Sequence, residues 1–474
     1  MSSSAKPRDR GRTSPQRDLC GLLRELFLVI SLCFASASFG QVGPALPEEL
    51  RMLSPEEVSR ILRMTPQPAI SADPSNRFAE SDAAARLGHA LFFEKALSPH
   101  GVSCATCHQP ERYFTDGNAL AQGVGTARRN APTIVDAARR RWVGWDGKFD
   151  SLWSQALAPI EHPDEMGSDR RTLLRVVRDT PEYRLLFEKA FGPFPNALAM
   201  RDGVSDPLAT SGALPSEHVD QINSTTALVL KALGAYQRRV VSAETPLDRF
   251  VASLKTKGDA NAADSSDESM SALESDTFGA AARRGLAIFV GRGGCWQCHR
   301  GPNFTDEEFH ALGLVGANGR VPDDPARETA VTFLKANPFN VAGAWSDAQS
   351  SAKAAMVRGL KEGGEQFGQF RTPPLRGVAL TPPYMHDGRF ATLSDVVRFY
   401  DTLEGASPAG HHGELVLEPL GLTEQDRSDL VAFLESLNPD MTILRQSEWW
   451  RDPKGSPDRN GTTPSDIPSQ SQRE

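Results

Sequence analysis

Six cysteines occur in the chain, at positions 20, 33, 104, 107, 295 and 298. The last four fall into two identical patterns, Cys104-Ala-Thr-Cys107-His108 and Cys295-Trp-Gln-Cys298-His299. Two thiols three positions apart, followed at once by an imidazole, form the attachment motif of c-type haem. The thiols can make thioethers with the two vinyl groups of one porphyrin. The adjacent imidazole is then held at the iron as its axial ligand. A zinc site would need four ligands, so the two motifs would have to fold onto each other. Structural disulfides suit an exported chain but give no reason for a His after each pair. The pattern predicts two covalently bound haem c groups, on His108 and on His299.

What such a haem does is decided at its sixth coordination position. A closed iron passes electrons, whereas an open one admits peroxide or oxygen. No His occurs between His108 and His162. Several further blocks accompany the motifs: Trp145-Asp146-Gly147-Lys148, Gln155-Ala-Leu-Ala-Pro159-Ile160 and Pro163-Asp164-Glu165-Met166. Later come Phe370-Arg-Thr-Pro-Pro-Leu-Arg376 and Leu380-Thr-Pro-Pro-Tyr-Met-His386-Asp-Gly388. Together with the two Cys/His motifs, these blocks resemble the bacterial dihaem cytochrome c peroxidase and MauG family, over roughly residues 50–440.

The resemblance implies that hydrogen peroxide reacts at the N-terminal haem and that the C-terminal haem handles electrons. It implies Glu165 as the group that moves a proton between the peroxide oxygens, with Gln155 and Pro159 in the pocket wall. Trp145 matches a Trp placed between the two haems and suited to hole transfer. Gly144 stands where relatives often carry an aromatic residue. Classical members have a His 16 residues after the proximal His; that position here is Val124, in Gly123-Val124-Gly125. The first haem is therefore expected to be open without prior reduction, as in the MauG-like branch. Classical members also have a Met 14 residues after the His of the His-Asp-Gly motif, where counting from His386 reaches Tyr400. MauG-like proteins place a Tyr there, so Tyr400 is the implied ligand of the second haem, with Met385 as rival. A calcium ion is implied between the domains, held by the Asn130 side chain and the carbonyls of Thr381 and Pro383, oxygen donors that suit it. Periodicity alone would make Tyr400 an ordinary helix aromatic and Glu165 a solvated loop carboxylate.

The elements that must position these residues repeat. An amphipathic segment at 84–93 precedes the first motif, and a similar one at 281–290 precedes the second. Phe-Thr-Asp follows each motif, at 114–116 and at 304–306. Apolar helices are predicted to close each half, at about 225–241 and 424–437. Strand signals are scarce. The expected fold is mainly α, with two cytochrome c-like haem domains packed together. Residues 41–250 form the N-terminal haem domain, 251–277 a linker rich in Asp, Ser, Ala and Glu, and 278–445 the C-terminal haem domain. A disordered tail spans 446–474, and residues 316–370 are a long mixed insertion offered as partner contact. Aromatic residues make up only 7% of the chain, so the porphyrins are expected to supply much of the apolar core.

Residues 1–40 read as a cleaved signal peptide. They hold a basic start, a short apolar run at 26–37 and small residues near the cleavage point. The run is too short to span a bilayer, which takes roughly 20 residues, and no later stretch qualifies. The expected location is the periplasm. The net charge of −8 argues against nucleic acid, whose binders carry a basic face. The implied partners are hydrogen peroxide and either an electron-donor cytochrome or copper protein or a protein substrate. The alternative is a dihaem electron-transfer cytochrome without peroxide chemistry.

Overall fold

The computed structural model describes residues 46–200, 206–209, 216–259, 278–316, 323–407 and 417–454. The expected signal segment at 1–40, linker residues 260–277 and tail residues 455–474 lie outside them. The helices used below are α1 (Pro55–Leu62), α2 (Asp82–Phe92), α3 (Leu152–Gln155), α4 (Arg170–Asp179), α5 (Pro181–Phe191), α6 (Ser216–Gln237) and α7 (Pro246–Asp259). They continue with α8 (Ala280–Val290), α9 (Arg327–Ala336), α10 (Ala352–Arg358), α11 (Leu393–Thr402) and α12 (Glu424–Glu435). Two short strands, β1 (Phe309–His310) and β2 (Phe370–Arg371), pair antiparallel with Phe309 opposite Arg371. Among the described residues no helix is long and apolar enough to cross a membrane.

The internal repeat has a packing reason. α2 starts at Ser81, whose side chain accepts from the Ala84 N–H, and it buries most of its length against α6. α8 lies in the same way against α12. Each pair crosses at a glycine at the same place in the repeat. A Cβ on Gly88 would sit 2.0 Å from the Ala232 carbonyl oxygen, and one on Gly285 would sit 2.0 Å from that of Asp429. Only glycine lets two helix backbones come so close.

Two large apolar cores result. The first gathers α2, α3, α4, α5 and α6 around Trp153, Tyr183, Tyr236 and Phe187. The second gathers α7, α8, α11 and α12 around Phe250, Phe278, Phe289 and Phe433. Neither core is confined to one stretch of sequence. Leu50, Ile61 and Met64 from the N-terminal segment belong to the second core. Leu444 and Trp450 from the C-terminal segment belong to the first.

Three sequence expectations therefore change. Residues 251–259 are helix rather than linker, because Leu247, Phe250, Val251 and Leu254 recur at helical spacing and are buried. The tail is anchored at its start, since Glu448–Trp450 forms a 3-10 turn and Trp450 is only 4% exposed. Its ring meets Phe114 at 5.0 Å and Tyr113 at 5.7 Å between centroids. The described part of the 316–370 insertion is a folded element rather than a loop. α9 and α10 build a small core on Trp142 with Leu334, Val341, Ala354 and Val357. It is pinned to the loop of Trp145, with Arg327 donating to the Gly147 carbonyl at 2.8 Å and Val341 N–H to Asp150 at 2.7 Å.

Candidate haem sites

Each Cys/His motif is a tight turn with the same internal bond. His108 N–H donates to the Cys104 carbonyl and His299 N–H to the Cys295 carbonyl, both at 2.9 Å. The chain then reverses through left-handed residues, among them Phe114 at φ 58° and Phe304 at φ 54°. That reversal returns a carbonyl to each imidazole. His108 Nδ1 lies 3.1 Å from the Phe114 oxygen and His299 Nδ1 lies 3.0 Å from the Phe304 oxygen. A carbonyl only accepts, so Nδ1 carries the proton in both rings and Nε2 keeps its lone pair for a metal. Burial pushes both imidazoles below the usual His range, which favours this neutral form. The Phe-Thr-Asp repeat thus orients both prospective ligands. Its Asp also works locally: Asp116 accepts from Gln122 N–H at 3.1 Å, and Asp306 holds His310 at 2.9 Å.

The motifs line separate cavities, which rules out one four-thiol zinc site. The four described cysteines are unpaired. The first cavity measures about 60 Å³ and is bounded by Cys104, Cys107 and His108 together with Gln155, Pro159, Glu165 and Gln237. The second measures about 300 Å³ and is bounded by Cys295, Cys298 and His299 together with Tyr400, Met385, Trp145 and Asn130. Their chemistry fits a porphyrin. Each offers two thiols and a neutral imidazole, and the second cavity has a mostly apolar wall with the buried Tyr384 hydroxyl left without a partner. Burial pushes the thiols of Cys104, Cys107 and Cys295 up to about 12, so they are not free thiolates.

The residues expected over the first motif come together. Gln155 ends α3, and Glu165 follows in a turn closed by Glu165 N–H on the His162 carbonyl at 3.1 Å. The position of the classical His serves this turn. Val124 N–H donates to the Glu165 carbonyl and Gly125 N–H to the Asp164 carbonyl, both at 2.8 Å. A Cβ on Gly123 would meet the Glu165 oxygen at 2.3 Å. The Val124 side chain itself is 40% exposed.

Trp145 does not reach the first cavity and lies on the wall of the second. Its Nε1 donates to the Asn130 carbonyl, and its own carbonyl accepts from Arg371 N–H, both at 2.9 Å. Gly144 before it has φ +87°, a conformation that favours glycine, so the backbone turn accounts for the departure noticed in the sequence. Asn130, Thr381 and Pro383 line the same cavity. Asn130 Nδ2 donates to the Asn118 carbonyl at 2.8 Å, which leaves Oδ1 to accept. Tyr400 and Met385 both line this cavity; burial beside Cys295 and Cys298 drives the Tyr400 hydroxyl well above the usual range.

The family model described as di-haem cytochrome c peroxidase matches residues 82–256. The methylamine utilization protein MauG of Methylorubrum extorquens is 32% identical over 363 residues, 76% of this chain and 79% of that protein. The cytochrome-c peroxidase IdrP1 of Denitromonas iodatirespirans is 32% identical over 358 residues, 74% of this chain and 80% of that protein.

This chain belongs to the dihaem cytochrome c peroxidase and MauG family.

Membership makes it an oxidoreductase acting on peroxide and implies two c-type haems. It sets aside the reading as a plain electron-transfer cytochrome. Two solved structures share the fold. A MauG-like protein associated with microbial copper homeostasis aligns with a TM-score of 0.54 at 24% identity, over 82% of this chain and 98% of that one. The diheme peroxidase BthA from Burkholderia thailandensis aligns with a TM-score of 0.52 at 24% identity, over 80% of this chain and 92% of that one.

Sequence reasoning passed over several residues of this family member's cavities. Gln237 is 6% exposed on the first cavity, and no described residue bonds its side chain. Its signal was the spacing from Leu233, one helical turn back on the same wall. Arg140, Arg371 and Thr372 stand on the wall of the second cavity. Arg371 and Thr372 lay inside a quoted block but looked like part of a loop signature. Arg140 sat unmarked in the run Arg139-Arg140-Arg141.

Proposed function

We propose that hydrogen peroxide reacts in the first cavity, over His108, and that electrons enter through the second, over His299. The observation that carries this reading is the presence of Glu165 and Gln155 on the same cavity wall as Cys104, Cys107 and His108. Bound haem supplies the redox-active iron at which the O–O bond is cleaved. The Glu165 carboxylate takes a proton from one peroxide oxygen and returns it to the other. No described side chain bonds Glu165 or Gln155, so both are available to substrate. The Gln155 amide orients the peroxide, and Pro159 excludes water from its side. Backbone bonds from Val124 and Gly125 hold the Glu165 turn in place. With Val124 in that position, this stretch would offer no imidazole to the haem iron bound on His108.

Tyr400, on the same cavity wall as His299, would be the second protein ligand of the haem bound there, and Trp145, on that wall too, would relay electrons between the two centres. A calcium ion would be held by the Asn130 side chain and the carbonyls of Thr381 and Pro383 and would stiffen the loop that carries Trp145. The two haem centres are two cytochrome c-like domains, and the chain is exported to the periplasm with residues 1–40 removed. The reductant is a carrier cytochrome, a copper protein or a residue of a partner protein, as on the MauG-like branch.

Two measurements test this. Electron paramagnetic resonance of the ferric protein should show one high-spin and one low-spin haem, both signals falling on addition of peroxide. Two low-spin haems indifferent to peroxide would overturn the open first site. Rapid mixing of Glu165→Gln with peroxide should be slower by about 10²–10⁴-fold, the usual contribution of a positioned acid–base group. An unchanged rate would remove Glu165 from the proton transfer.

A further inference from the structure

One wall of the second cavity holds two arginines that share a single hydrogen-bonded carboxylate among the described residues. Arg371 is 5% exposed. One of its NH groups donates to Glu307 at 3.3 Å and to the Thr372 carbonyl at 3.1 Å, while its Nε is buried without a partner. Arg140 donates to the carbonyls of Thr133 at 2.9 Å and Val135 at 3.3 Å, and its Nε is likewise buried without a partner. The Thr372 hydroxyl, beside the Asp306 carboxylate, is a third buried polar atom without a well-formed hydrogen bond. All three residues line the same cavity as Cys295 and Cys298.

The two guanidiniums also oppose each other. Burial and the charge of Arg371 push Arg140 down to about 10, and burial pushes Arg371 below the usual Arg range. Arginine still stays charged at neutral pH. Glu307 is the one carboxylate hydrogen-bonded to either of them among the described residues. What this wall lacks is an anion with several acceptor oxygens, and a guanidinium fork matches a carboxylate.

We propose that Arg140 and Arg371, with the Thr372 hydroxyl, bind the carboxylate side chains of the porphyrin attached through Cys295 and Cys298. This rests on the dihaem reading. The two arginines lie far apart in sequence, so the cofactor's carboxylates tie the loop before Trp145 to β2. Arg371 also donates its backbone N–H to Trp145, which couples the same contact to the proposed relay. Two positive charges beside the porphyrin favour the reduced iron, because reduction removes positive charge from the centre.

The test uses the full-length, haem-loaded protein. Pyridine haemochrome counts the haems, and spectroelectrochemical titration gives both midpoint potentials. Wild type should hold two haems per chain; fewer would defeat the dihaem reading independently of the arginines. In Arg371→Gln and Arg140→Gln the ferrous-to-ferric ratio of the second haem at a fixed potential should fall about tenfold, a downward shift of about 59 mV for a one-electron couple. Arg371→Lys, which keeps the charge, should recover most of the shift. If one Gln variant does not accumulate, the other decides. Unchanged potentials in both would overturn the assignment. So would a wild-type potential that moves with added chloride or phosphate and loses that dependence in the variants, since the occupant would then be a free anion.

Discussion

The two imidazoles are set by a device that lies outside the Cys/His motif. Phe114 and Phe304 adopt left-handed backbone so that their carbonyls can fix the His108 and His299 tautomers. The Phe-Thr-Asp repeat was visible in the sequence, but its purpose was not, because backbone direction cannot be read from residue types. Glu165 and Gln155 were legible because their chemistry travels in contiguous blocks. Arg140 was not, since a run of three arginines reads as a solvated face. Gln237 was not, since periodicity marks a position as buried without saying what its amide is for. Tyr400 yields a prediction at this scale. On the proposed ligation, Tyr400→Met would replace a hard anionic donor by a thioether, and Met/His ligation raises haem potential. The second haem should therefore become easier to reduce while the first keeps its high-spin signal. Redox titration with paramagnetic resonance reads both, and an unmoved potential would remove Tyr400 as ligand.

At the level of helices, the glycine crossings of α2 with α6 and α8 with α12 were foreshadowed by the repeat, down to Gly88 and Gly285. The helix ends were less legible. α7 runs on past the expected linker start, because its apolar stripe of Leu247, Phe250, Val251 and Leu254 extends into the segment whose later residues are rich in Asp and Ser. That helix also carries a buried ion pair. Asp248 is 11% and Arg376 3% exposed at the side chain, and their closest contact is 2.6 Å. Arg376 donates further to the carbonyls of Pro302 and Met64, so the pair ties α7 to the loops around the second motif. Burial opposes ionisation of Asp248, but the Arg376 guanidinium outweighs it and holds the carboxyl down at about 2, against an ordinary 3.8. A depressed carboxyl stabilises fully above its unfolded value and loses that contribution as pH falls through its folded value. Its part of the stability should therefore be complete above about pH 4 and fade toward pH 2. Asp248→Asn should cost about 3–5 kcal/mol at neutral pH, as expected for a broken buried pair. It should also flatten the pH dependence between pH 4 and 2. Thermal unfolding across pH checks both.

Across the whole molecule, the two cores exchange ends. The sequence suggested two consecutive domains, and hydrophobic patterning could not show that the N-terminal segment packs with α8 or that the C-terminal segment returns to α2 and α6. The returning segment is held at several points: Tyr236 donates to the Trp449 carbonyl at 2.9 Å, His89 to the Arg451 carbonyl at 2.7 Å, and Lys454 to Glu94 at 2.6 Å. Trp450 fills the space beside Phe114, the residue whose carbonyl orients His108. Trp450→Ala should cost about 3–5 kcal/mol, the usual range for a buried Trp. The first haem's spectrum should loosen before the second's on heating. Loss of both signals together would mean that the segment supports the molecule generally rather than the first centre.

The exchanged ends also set the order of events during folding. Arg60 reaches the Val290 carbonyl across 230 positions, and His89 reaches the Arg451 carbonyl across 362. Contacts so distant along the chain form slowly, since loop closure comes before any reward. Neither core can be completed from a nascent N-terminal portion, because the first waits for Trp450 and the second needs α7, α8 and α12 together. The first core therefore closes only when Trp450 arrives, and the second only when α12 does. On the proposed reading, that order would leave Cys104 and Cys107 open to the machinery that joins porphyrin to thiol while the wall around them is still incomplete.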